Sequence, residues 1–160
     1  MATVNSPIRR LVKPLLFKLL PVSGYKWFQY KAKVRDIELN LVKDKEHALL
    51  SHFLRADAEA VDIGANYGYY AVPMSALCKK VFAFEPIPFT FDVCLKVLKH
   101  FKCQNVELIR KGVGAKNEKM RFSVPKVDYG GLSAGQAHMD GRDNTLEGAE
   151  KHYKFHDFEL

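Results

Sequence analysis

The run VDIGANYGYY, Val61 to Tyr70, followed by VFAFEP, Val81 to Pro86, constrains the fold of this chain more than any other feature. Ala60 to Ile63 is a short, mostly apolar run that ends at Gly64, the pattern of a buried parallel strand. Gly64 and Gly68 let the backbone turn sharply and approach a ligand with no Cβ in between. A helix is predicted to start near Gly68, with Tyr70, Ala71, Met74 and Leu77 as its buried stripe, so its free N–H groups point back into the turn and favour negative charge there. The next strand, Val81 to Phe84, leads into Glu85, which lies 21 residues after Gly64. That is close to the interval of roughly 20 residues at which an acidic side chain accepts hydrogen bonds from ribose hydroxyls, and a strand end leaves the side chain facing a ligand. Strand, glycine turn, helix, strand and carboxylate, in that order, describe a nucleoside-cofactor site on a parallel α/β sheet.

The turn discriminates between nucleosides. A dinucleotide site wants G-x-G-x-x-G, whose second glycine admits a pyrophosphate. Here Asn66 occupies that middle position and the pattern is D-x-G-x-N-x-G, which crowds a pyrophosphate but accommodates an amino-acid group, as in S-adenosylmethionine (SAM). Each residue also has an ordinary reading: Asp62 as a turn cap, Asn66 as a residue tolerant of left-handed backbone, Glu85 as a solvated strand end. The tyrosines Tyr67, Tyr69 and Tyr70 are read as packing before substrate contact.

VDIGANYGYY, FAFEP and the later GVGAKNEKMRFSVP, Gly112 to Pro125, resemble the FkbM family of SAM-dependent methyltransferases, over roughly Asp44 to Ser133. The resemblance implies a Rossmann-like class I methyltransferase fold, a doubly wound and mostly parallel sheet ordered 3-2-1-4-5-7-6, of which this sequence supplies the N-terminal half. It implies that Asp62, Gly64, Asn66 and Gly68 hold the methionine part of SAM and that Glu85 binds the ribose. Pro86 and Ile87 would then flank the nucleoside, and Gly112 to Ala115, with Val113, would lie near adenine. Gly131, Leu132 and Ser133 look like the family's Gly-Ser-Ser-Leu-type loop. Glu147 to Glu150, EGAE, resembles a D-V-E-G-A-E motif, but no apolar strand precedes it. The implied reaction is O-methylation of a hydroxyl on a sugar or other small metabolite, the hydroxyl attacking the sulfonium methyl in line; no residue is assigned as its base. The chain ends where the second half of such a sheet would begin, so a truncated or fragmentary methyltransferase is expected. A catalytically dead cofactor-binding or interaction module is the alternative, with an NAD-dependent oxidoreductase behind both.

Composition bounds the rest. With 160 residues, 48% hydrophobic and 27% charged, the chain is that of a single soluble domain. Cys78, Cys94 and Cys103 lack C-x-x-C spacing and read as small core residues in a reducing, cytoplasmic setting. His138, His152 and His156 are conspicuous in the tail, and His152 and His156 have helical i, i+4 spacing, but with no third ligand evident beside that pair no metal site is expected.

The net charge is +7, yet eight basic residues and no acid precede Asp36, so the remainder is close to neutral and no nucleic-acid partner is expected. Ser6 to Pro21 joins part of that charge to Leu11, Leu15, Leu16, Leu19 and Leu20, and reads equally as a helix packed on the domain or as one in peripheral contact with an anionic membrane. Three regions follow: 1–42, a basic segment with an amphipathic helix and a strand at Val34 to Val42; 43–126, the SAM-binding core; and 127–160, a polar tail read as solvated loop. Within the core, a helix is predicted over Lys43 to Arg55, with Leu49, Leu50, Phe53 and Leu54 inward. Another runs from Pro88 to about Phe101, followed by strands at Val106 to Ile109 and Met120 to Val124. With no fourth strand beside it, the first strand is expected at an open apolar edge, a site of self-association.

Overall fold

The computed structural model describes residues 7–42, 45–115, 122–123 and 138–139. At its centre β1 (Glu59–Ile63), β2 (Lys80–Phe84) and β3 (Val106–Ile109) form a parallel sheet in the order β1-β2-β3. The register pairs Glu59 with Lys80 and Ile63 with Phe84, then Val81 with Val106 and Phe84 with Ile109. The crossovers are α4 (Ala71–Leu77) and α5 (Pro88–His100), so the unit is β1-α4-β2-α5-β3, the α/β architecture anticipated from the sequence. Within this unit the strand and helix bounds agree with the predicted ones to within a residue, except that the helix after the turn begins at Ala71, three residues later than Gly68.

Both crossover helices cover one face of the sheet. Ala60 and Val81 pack with Met74 and Cys78, while Ala83 packs with Ala71, Cys94 and Leu98. Alternation in β1 sends Val61 and Ile63 to the opposite face, where they are 57% and 64% exposed. Among the described strands β1 lies at the edge of this sheet.

Three more helices precede the sheet: α1 (Pro7–Leu19), α2 (Val22–Glu38) and α3 (Lys45–Phe53). The predicted strand at Val34 to Val42 is corrected here, since Val34 to Glu38 is the last part of α2. Tyr30, Val34 and Ile37, at helical spacing, pack on Val93 and Val97 of α5. The periodicity was obscured because the same buried face carries Gln29, Lys33 and Asp36, polar residues that a hydropathy pattern places outside. A second correction concerns α3: Leu50 and Leu54 pack inward, but Leu49 and Phe53 are 47% and 78% exposed.

Two short strands complete the described elements: β4 (Phe122–Ser123) pairs antiparallel with β5 (His138–Met139). The first falls inside the strand predicted at Met120 to Val124, and the second lies in the segment read as loop. Gly131 to Ser133, Glu147 to Glu150, His152 and His156 lie outside the described residues.

Candidate functional site

The glycine turn is built by the ends of β1 and β2. Gly64 and Ala65 both donate their N–H to the Phe84 carbonyl, each at 2.9 Å, and the Gly68 N–H closes the turn on the Ala65 carbonyl at 2.8 Å. Gly64, Asn66 and Gly68 have φ of +81°, +51° and +87°. Glycine adopts that region freely and asparagine tolerates it better than most residues, which accounts for all three identities.

The two glycines differ in their surroundings. A Cβ on Gly64 would meet nothing within 4 Å, so the turn is open above it. A Cβ on Gly68 would lie 3.3 Å from Cys94 Sγ and 3.7 Å from Val97 Cγ1, so this glycine also lets the turn sit tightly on α5.

Glu85 holds the turn from below. Its Oε2 accepts the Asn66 N–H and its Oε1 accepts the Ile87 N–H, both at 2.9 Å, and the residue is 4% exposed. The expectation of a side chain free to face a ligand is therefore corrected: the carboxylate braces the backbone, with further lone pairs on each oxygen still open to a donor. Burial pushes its carboxyl above the usual range, the Ile87 and Asn66 N–H groups pull it back, and the nearby Asp62 charge raises it further.

Asp62 is likewise raised by burial, against a lowering hydrogen bond from the Ala71 N–H at the start of α4. Its Oδ2 and the Asn66 Oδ1 are buried acceptors with no hydrogen-bond partner in the protein. Cys94, behind Gly68, is pushed up to about 12, by burial first and then by the charges of Asp62 and Glu85, so it packs as an inert thiol.

The structure thus brings Asp62, Gly64, Asn66, Gly68 and Glu85 into one turn. Pro86 follows in the link to α5, and Val113 lies in the irregular segment after β3, half exposed. Two supporting residues were missed by sequence reading: Lys33, whose Nζ lies 4.6 Å from the Tyr67 ring centroid and 5.5 Å from that of Tyr69, and Asp36, which accepts the Tyr69 hydroxyl at 3.2 Å. Their signal in the sequence was the i, i+3 spacing of a cation and the first acid after a run of cations.

Beside Tyr69 opens a cavity of about 510 Å³ between the end of α2 and the first turns of α3 and α4, lined by Asp36, Ile37, Asn40, His47 and Val72 among others. Among the described residues no group of His, Cys, Asp and Glu side chains is arranged to hold a metal ion.

No protein-family model and no curated protein sequence matches the chain. Among solved structures it is similar to an rRNA methylase from Streptococcus thermophilus, with 26% identity over 44% of this chain and 45% of that one and a TM-score of 0.41. It is also similar to precorrin-6y C5,15-methyltransferase from Geobacter metallireducens, with 27% identity over 44% of this chain and 39% of that one and a TM-score of 0.40. A third is M. jannaschii TYW2, whose structure was solved in complex with AdoMet, with 25% identity over 41% of this chain and 31% of that one and a TM-score of 0.38. Superpositions at this level cover a minority of each chain and assign no activity. The chain spans less than half the length of these structures.

Proposed function

We propose that this chain contains the cofactor-binding unit of a SAM-dependent methyltransferase of the FkbM type, acting on a hydroxyl of a sugar or other small metabolite. Residues 43–126 would form that unit, between the basic segment 1–42 and the segment 127–160. The observation that carries this reading is the turn itself: positive-φ backbone, open space above Gly64, and two buried acceptors without partners, Asp62 Oδ2 and Asn66 Oδ1. An amino-acid ammonium group is a three-donor cation and suits such a pair of acceptors, whereas a pyrophosphate is an acceptor-only anion and would face two like-natured oxygens.

Asp62 and Asn66 would hold the amino-acid end, Gly64 would admit it, and the unused lone pairs of Glu85 would accept from the ribose. Pro86 and Val113 would border the nucleoside. When bound, SAM supplies an electrophilic methyl group. The chain's own contribution is to orient it and keep it from water. The cavity beside Tyr69 offers an acceptor molecule both apolar wall, at Ile37 and Val72, and hydrogen-bonding groups, at Asn40 and Asp36.

Calorimetric titration with SAM, S-adenosylhomocysteine and NAD is the test. SAM and S-adenosylhomocysteine are expected to bind and NAD to fail. Binding of NAD alone would overturn the reading, and SAM binding without transfer of labelled methyl to any of a panel of sugars would reduce it to a binding module.

A further inference from the structure

We propose that the outer surface of α1 and α2 is a docking site for an anionic lipid bilayer, on which the protein lies without crossing it. The inference goes beyond methyl transfer and does not depend on it. The inner face of α2 is committed to α5 through Tyr30, Val34 and Ile37, and through the ion pair of Lys26 with Asp92. The opposite face, with Trp27, Lys31, Arg35 and Leu39 spaced four apart, is therefore fixed outward. Trp27 is 56% exposed and Leu39 51%.

The first helix carries exposed apolar residues of its own. Phe17 of α1 turns inward to meet the Tyr25 ring edge-on at 5.0 Å. That leaves Leu15 and Leu19, again four apart, and Val22 at the elbow between the helices, 56%, 69% and 70% exposed. Single exposed apolar residues are ordinary on any protein. Five of them along two consecutive helices and the residue that ends the second, interleaved with Lys18, Lys31 and Arg35, make this segment amphiphilic.

Charge decides the occupant. Eight basic residues and no acid precede Asp36, while the remainder of the chain is near neutral. Of the eight, Lys26 and Lys33 are turned inward, to Asp92 and to the Tyr67 and Tyr69 rings, and Lys18, Lys31 and Arg35 stand exposed on the helices that bear the leucines. Anionic headgroups attract such a segment, and tryptophan settles at headgroup depth. Lys31 Nζ lies 5.9 Å from the Trp27 ring centroid and 5.3 Å from that of Tyr30, which sets a cation at the level of the rings. A nucleic-acid backbone would use the cations and leave the leucines in water; a bilayer uses both. No described helix is long and apolar enough to span a membrane.

The chain carries its own reporter, because Trp27 is the single tryptophan. The full chain is mixed with vesicles of phosphatidylcholine alone, or with vesicles in which about one third of the lipid is phosphatidylglycerol, and Trp27 emission and vesicle flotation are recorded. Anionic vesicles are expected to float the protein and shift its emission to the blue, neutral vesicles to do neither, and salt to weaken the effect. Replacing Leu19→Gln together with Val22→Gln should weaken partitioning at least about tenfold, and Lys31→Gln about fivefold. The melting temperature should not change, since all three side chains face water. Absence of flotation and of an emission shift with anionic vesicles overturns the proposal. So does full binding by the leucine–valine double variant, or an emission shift produced by duplex DNA in place of vesicles.

Discussion

At the scale of single residues, the turn rests on two carboxyl groups, Asp62 half-buried and Glu85 buried, both raised above their ordinary values of 3.8 and 4.5. The sign of the pH effect follows by linkage. A carboxyl whose folded-state pKa is raised binds its proton more tightly in the folded protein than in the unfolded chain. Its favourable contribution is complete below the ordinary values and is lost as pH rises through the folded-state values above them. The turn is therefore expected to gain stability as the solution is acidified from neutrality toward that window. Asp62→Asn removes one of the two desolvated charges while keeping the shape of the side chain. This variant should be more stable at pH 7, by about 1 kcal/mol, the scale of one pKa unit, and should show a flatter dependence on acidification than the parent. Thermal melts of the two proteins across the acidic range check both parts, and a parent and variant with parallel profiles would remove Asp62 from the account.

At the scale of elements, the glycine turn and α5 are one packing unit. Gly64 and Gly68 look alike in sequence, but only Gly68 is pressed against a helix, with Cys94 Sγ at 3.3 Å from its would-be Cβ. Gly64→Ala is expected to cost about 1–2 kcal/mol through its positive φ alone. Gly68→Ala carries the same backbone strain plus overpacking, about 3 kcal/mol in all. Shrinking the neighbour should relieve only the second part. In a Cys94→Ala background the cost of Gly68→Ala should fall by about 1 kcal/mol, while that of Gly64→Ala should stay unchanged within about 0.5 kcal/mol. Denaturant titrations of the single and double variants give these differences directly, and a cost at Gly68 that ignores Cys94 would separate the turn from α5.

At the scale of the whole molecule, the two faces of the described sheet differ. The helices α4 and α5 bury Ala60, Val81 and Ala83, whereas Val61 and Ile63 stand more than half exposed on a strand at the edge of the sheet. An apolar edge with free backbone donors and acceptors is a template for pairing with another chain. The isolated protein is accordingly expected to self-associate. Light scattering coupled to chromatography should show a concentration-dependent mass, reduced toward the monomer by Val61→Lys with Ile63→Lys, a charged edge being the usual defence against such pairing. A clean monomer at all concentrations, with a cooperative melt above about 60 °C, would show that the edge is already covered.

The order of strand, turn, helix, strand and acid was legible in the sequence because each of those signals is local. A short apolar run, a pair of glycines and a proline at a helix start report on the few residues around them, and α5 and β3 followed the same rule. Charge asymmetry was equally plain, being a property of composition along the chain. What the sequence could not show depended on partners distant in the chain. Val34 to Glu38 is helical because it packs on α5, some sixty residues away, and the helix hid from pattern reading because three polar residues on it are buried, Lys33 and Asp36 against the tyrosines of the turn and Gln29 against the Tyr25 hydroxyl. Glu85 could be placed at the mouth of the site by counting residues. That both its oxygens hold backbone N–H groups of two separate loops, leaving only part of the carboxylate for a ligand, was decided by the tertiary structure, since hydrogen-bond geometry exists only once β1 and β2 lie side by side.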